Sequence, residues 1–439
     1  LPIYPDEVYV NNELQKSCGV SCLLTKSTNT VLLKFNTQIK NCEKMFYGLQ
    51  NITKIDLSNF DFSEVKNMSE MFYGCTKLIS IEFGNINTNN VKNMQYLFYN
   101  CTKLKSLNLT KFITTNVEDF QFMFFQCSTL ENLDLSNFNT KKVENVNQMF
   151  YKCTKLKDIN ISSFDISNVK NMSHMFSLCS QLISLDLSSF KSSKALTMDY
   201  MFKQCINLKE IHLVDFKATN LKNLNHMFYQ CKQLTSIDLS NLEIPSAVDM
   251  SYMFYQCFEL TEINLSGLKA NNGANMNYMF YQCKKIINVN LSGLQAYNAT
   301  NMNHMFYQCT QLIEINLSNV KVSNVKNLNY TFYQCTQLKE VNLSGFDISN
   351  VENMAFMFNQ CTELQRVYLP NSKTPKVINL SYMFYSCKNL TSIDLSNFDT
   401  SEVTTMNRMF YGCFELKYLD LSNFDISKVT TICFIIVSL

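Results

Sequence analysis

Apolar residues recur along this chain with a period of 26, and the pattern inside each period changes halfway. In the first half Leu107 and Leu109 alternate with polar Ser106 and Asn108. That is the period of two of a strand with one buried and one wet face. In the second half Val403, Met406, Met409 and Phe410 fall at i, i+3, i+6 and i+7. This stripe predicts a helix, with Ser401 or a neighbour available as N-cap. A cysteine closes each period from Cys75 to Cys413, always 26 residues after the last, and the phenylalanine three places earlier keeps the same step from Phe46 to Phe410.

A period held this strictly over a long chain predicts a solenoid, in which each unit covers the apolar face of the next. The expected fold is therefore α/β: a solenoid of about fifteen strand-helix coils, with a parallel sheet on the concave face and helices on the convex face. Residues 1–40 depart from the repeat and predict an N-terminal cap, residues 41–431 the solenoid, and residues 432–439 an apolar end to the last coil. The start at Leu1 rather than methionine is read as a removed leader or a fragment. In the middle coils the corner phenylalanine becomes Leu242, Leu268, Leu294 and Val320, while the following valine shrinks to Ala247, Gly273 and Ala299. Volume lost on both sides of one corner predicts a tighter radius or a twist, because cores do not keep voids.

The motifs L-x-x-I-x-L-S-x-F and N-V-x-x-M-x-x-M-F-x-x-C together resemble the BspA-type leucine-rich repeat family, over roughly nine-tenths of the chain. The resemblance implies a secreted or cell-surface protein that adheres or coats, and implies no chemistry. Fold alone does not fix activity.

Composition changes this picture little. The net charge is +2 with scattered lysines, which argues against nucleic acid or an anionic membrane as partner. No run reaches the length of apolar residues that spans a membrane. With four histidines, nine glycines and none of the usual nucleophile, phosphate or zinc motifs, no catalytic constellation can be assembled. No enzyme activity, cofactor or metal is expected.

Five sets of residues are candidates for something beyond packing. The ladder cysteines lack the close pairs that zinc needs, and read as buried reduced thiols. Cys18, Cys22 and Cys42 stand apart from the ladder and are candidates for a cap disulfide. The polar row on the outward strand face, Asp56 to Asp420, is either solvated or hydrogen-bonded along its length, with calcium as the rival reading.

At 100° per residue the position before the second methionine points away from the helix core. It is occupied by Tyr200, His226, Tyr252, Tyr278, His304, Tyr330 and Tyr382. Such a stripe fits a partner-binding surface, since a tyrosine ring buries area while its hydroxyl stays satisfied. The competing reading lays the rings flat across the grooves between coils, where they only seal the backbone. Fourteen N-x-S/T sequons occur, of which Asn108, Asn160, Asn264, Asn290, Asn316 and Asn342 share the outward strand row and are glycosylation candidates.

The sequence thus favours a non-enzymatic secreted or surface structural and adhesive protein that contacts proteins or glycans, with end-to-end assembly into fibres drawn from the apolar C-terminal coil and the irregular N-terminal arm. The rival is an intracellular scaffold that binds one protein on its concave sheet.

Overall fold

The computed structural model describes residues 4–16, 24–188, 190, 194–213, 218–239, 244–266, 270, 275–292, 294, 296–320 and 322–430. They form two units, Leu1–Asn168 and Val169–Leu439.

The first unit opens with an antiparallel sheet in which β1 (Glu7–Val10) lies between β2 (Glu13–Leu14) and β3 (Val31–Lys34). Val8 and Val10 of β1 are buried. Parallel pairs follow, β4 (Lys54–Asp56) with β5 (Ser80–Glu82) and β6 (Asn132–Asp134) with β7 (Asp158–Asn160). The second unit pairs β8 (Ser184–Asp186) with β9 (Glu210–His212), and orders β10 (Ser236–Asp238), β11 (Glu262–Asn264) and β12 (Asn288–Asn290) in one sheet. A last sheet holds β13 (Glu314–Asn316), β14 (Glu340–Asn342) and β15 (Arg366–Tyr368). Each parallel pair joins residues 26 apart, as Ile237 with Ile263. The central residue of nearly every strand faces inward: Ile237, Ile263, Val289 and Ile315 are at most 8% exposed.

The helices expected in the second half of each period are not there; among the described residues there is none. The stripe of Met, Met and Phe is instead a staircase of tight turns. In the coil from Met276 to Cys283, alternate backbone N–H groups leave the coil: Met276 donates to Asn301 O (3.1 Å), Tyr278 to Asn303 O (3.0 Å), Phe280 to Met305 O (2.8 Å) and Gln282 to Tyr307 O (2.7 Å). Three of the others close four-residue turns, Met279 to Met276 O, Tyr281 to Tyr278 O and Cys283 to Phe280 O, at 3.1–3.3 Å, and Asn277 N–H goes to Asn275 Oδ1 at 3.3 Å. An α-helix needs each N–H to reach four residues back. Here half of them are spent on the next coil.

Two residues per coil also adopt left-handed backbone, Tyr278 (φ 58) and Gln282 (φ 57), each at the third position of a turn, where a positive φ reverses the chain. An apolar spacing of three, three and one is thus met by a staircase of turns, and the expected strand-helix coil with helices on a convex face gives way to a β-solenoid. Ser401 caps no helix; its hydroxyl bonds Asp399 Oδ1 at 2.7 Å.

What stacks in the core is the same for every coil. Phenylalanine rings lie face to face at 5.3–5.6 Å, from Phe46 to Phe150 in the first unit and from Phe176 to Phe410 in the second. Beside them the ladder thiols are buried and free. Cys283 Sγ donates to Phe254 O at 3.1 Å, and the step of 29 residues recurs from coil to coil. Burial pushes the Cys127 and Cys205 thiols up to about 12, so each keeps the proton it donates.

Of the shrunken corners, Leu294, Val320, Ala247 and Ala299 are fully buried or nearly so. Leu242, Leu268 and Gly273 lie outside the described residues, as do 432–439.

Candidate functional site

Two surfaces repeat from coil to coil, the strand face and the turn face. On the turn face of the second unit, nine rings from His174 to Tyr382 form one continuous stack at 4.5–4.7 Å between centroids. The stripe of Tyr200, His226, Tyr252, Tyr278, His304, Tyr330 and Tyr382 lies in it, each residue at positive φ and half-buried. A parallel column, Tyr229 to Tyr333, stacks at 4.6–4.7 Å. Rings of the two columns meet at a tilt, 5.5 Å apart at Tyr278 and Tyr281. The rings cover one another as much as they face water. Burial raises the Tyr278 and Tyr281 hydroxyls above their ordinary range, so these phenols are neutral.

The turns also carry a feature that the sequence reading missed. The left-handed residue that precedes each ladder cysteine is glutamine in seven successive coils, and Nε2 of each donates to Oε1 of the next: Gln204 to Gln230 and Gln230 to Gln256 at 2.8 Å, then Gln256 to Gln282 at 2.7 Å. The last links, through Gln308 and Gln334 to Gln360, are 2.5 Å. Glutamine at a step of 26 was visible in the chain. Its meaning needed the turn geometry.

On the strand face the polar row is locked to its own backbone. Asp56, Asp134, Asp186, Asp394 and Asp420 each accept the N–H of the serine two residues on, at 2.8–2.9 Å. For Asp134, Asp186 and Asp394 that backbone bond leads the causes that hold the carboxyl below its usual range. The sequon asparagines behave alike: Oδ1 of Asn264, Asn290, Asn316 and Asn342 takes the N–H of Ser266, Ser292, Ser318 and Ser344 at 3.0–3.1 Å. Asn108 and Asn160 accept from Thr110 and Ser162 in the same manner. Among the described residues no cluster of three or more metal-ligating side chains forms. An open cleft of about 400 Å³ lies over this face, lined by Asn290, Glu314, Asn316, Glu340 and Asn342 among others.

Of the disulfide candidates, Cys42 is fully buried with a free thiol, pushed up to about 12 by burial; Cys18 and Cys22 lie outside the described residues. No helix of the described residues is long and apolar enough to cross a membrane.

Solved structures that resemble this one include a leucine-rich cell surface protein from Faecalibacterium prausnitzii A2-165, at 14% identity and TM-score 0.34 over 79% of this chain and 85% of that one. An internalin of Listeria monocytogenes shares 13% identity at TM-score 0.29, over 85% of this chain and 88% of its own. A leucine-rich repeat protein from Eubacterium ventriosum shares 17% at TM-score 0.26, over 88% and 83%. No curated protein matches. A single family model matches in overlapping copies, at residues 40–159, 79–182, 147–267, 235–343, 274–368 and 362–437. With almost the whole repeat region accounted for by that model, the chain belongs to the family described as Mycoplasma protein of unknown function, DUF285.

Proposed function

We propose that this chain is a non-enzymatic scaffold, secreted or displayed on a cell surface, whose repeated faces bind and adhere to other proteins or glycans. The observation that carries the reading is the repetition itself. The ring column and the locked polar row present the same groups coil after coil, and neither gathers them into a singular site. A surface of that kind suits an extended or multivalent partner, because each added coil contributes contacts at a fixed spacing. The BspA-type motifs support a surface location.

If the chain is exported by a cell that glycosylates, sugars on Asn290, Asn316 and Asn342 would occupy the cleft and leave the turn face as the binding side. Fibre formation by end-to-end contact belongs to the same reading. The intracellular alternative draws on the buried free thiols, which suit a reducing compartment.

Antibody labelling of intact and permeabilised producing cells tests the location; label that requires permeabilisation refutes display on the surface. Adhesion is tested by asking whether soluble chain blocks attachment of those cells. Attachment unchanged at saturating chain removes that part of the reading.

A further inference from the structure

The ring column of the second unit is aromatic throughout, but at His174, His226 and His304 its rings can take a proton. His304 sits between Tyr278 and Tyr330, 4.5 and 4.7 Å away and nearly parallel to both. Tyr307 and Tyr281 flank it at 5.6 and 6.4 Å. Its Nδ1 is buried without a hydrogen-bond partner, and burial is the one influence on its titration among the described residues. His226 is held between Tyr200 and Tyr252 at 4.5 and 4.6 Å, with Tyr229 tilted against it at 5.3 Å. Its Nδ1 lies 3.3 Å from Asn225 Oδ1. Burial and the Lys203 ammonium oppose its protonation, as does His174, while the carboxylates of Asp249 and Asp199 favour it.

We propose that His304 is an acid-operated break in the stacked face: a protonated imidazole leaves its place between two phenol rings, and the column divides there. An imidazolium carries two N–H donors, and at His304 the one on Nδ1 would be buried without an acceptor and with no carboxylate to balance the charge. Attraction of the cation to the tyrosine faces works the other way. At His304 burial prevails and holds the ring at about 4, against an ordinary value of 6.5, whereas His226 has Asn225 Oδ1 at 3.3 Å and two carboxylates to favour its proton.

The direction in pH follows. A ring released to water takes up its proton near 6.5 and a seated ring only near 4, so the seated state is at full strength above pH 6.5 and weakens as pH falls toward 4. Linkage between those two values allows at most about 60-fold more opening per ring at pH 4.5 than at pH 7. Water at the half-exposed ring edge brings the expected figure to about tenfold.

Other coils already place tyrosine or phenylalanine at this position with the same backbone, Tyr278 at φ 58, Tyr330 at φ 56 and Phe356 at φ 59, beside His304 at φ 56. H304Y and H304F therefore keep the stack and remove the proton site. Hydrogen exchange of the full chain, corrected for intrinsic rate, is read at pH 7 and 4.5 over residues 276–283, 302–309 and 328–335. The expected result is about a tenfold loss of protection in the wild type that is absent from H304Y and H304F, with matching protection at pH 7. A wild type without the loss, or variants that lose as much as it does, overturns the proposal. So does a His304 proton resonance that titrates near 6.5.

Discussion

Replacing Ser386 by glycine separates a staircase of turns from a helix by the sign of its effect. Ser386 has φ 57, donates its N–H to Tyr411 O at 2.7 Å, and occupies the position that is glutamine in the middle coils and Gly412 in the next. A left-handed backbone costs an ordinary residue about 1–2 kcal/mol, which glycine avoids. Glycine in turn loses about 0.5–1 kcal/mol more conformational entropy on folding. The difference predicts a gain of about 0.5–1 kcal/mol for Ser386→Gly, whereas in a helix interior the same change would cost about 0.5 kcal/mol. Ser386→Val should lose clearly more than either, because a β-branched residue strains at positive φ.

Opening in a repeat protein is local, so the quantity to read is native-state hydrogen exchange at residues 384–390. The gain corresponds to exchange slowed roughly two- to fivefold. Exchange that speeds up in the glycine variant, with valine tolerated, would refute the turn geometry.

Three further outcomes follow from the packing. Phe306 is fully buried between Phe280 and Phe332 at 5.3 and 5.4 Å, so Phe306→Ala should cost about 3–5 kcal/mol, confined in hydrogen exchange to the adjacent coils. Thr114 Oγ1 both donates to Asn139 O (3.0 Å) and accepts from Asn139 N (2.7 Å), so Thr114→Val leaves two backbone groups unpaired and should lower stability by about 2–4 kcal/mol in urea unfolding. The ladder thiols should resist iodoacetamide at pH 8 until the chain unfolds, counted by intact mass, because burial raises them far above that pH.

The chain announced its repeat, its strand and its core. Leu107 and Leu109 are buried as their alternation implied, although their coil lies between β5 and β6 and forms no strand of its own; the phenylalanine rings stack, and the cysteines are buried beside them. The helix failed for a physical reason. Val403, Met406, Met409 and Phe410 match a helical stripe, but the stripe says only which residues face inward, not where the backbone N–H groups go.

A signal for the left-handed positions was present. Down the columns Lys44 to Arg408 and Gly48 to Gly412 no valine, isoleucine or threonine occurs, and the second column includes Gly48, Gly74 and Asn100. Tyrosine and glutamine hide a positive φ because they seldom mark one, and here inter-coil stacking and amide bonds hold them to it. Which residues share the ring column was legible; its closure into a stack was not, since that depends on coils set one above another by turns instead of helices.

The most direct test of the stacked-turn solenoid is the hydrogen-bond scalar coupling from the Phe280 amide nitrogen, measured in deuterated protein. The acceptor should be the Met305 carbonyl, 2.8 Å away in the next coil. A coupling to Met276, four residues back in the same coil, would restore the helix and contradict the account.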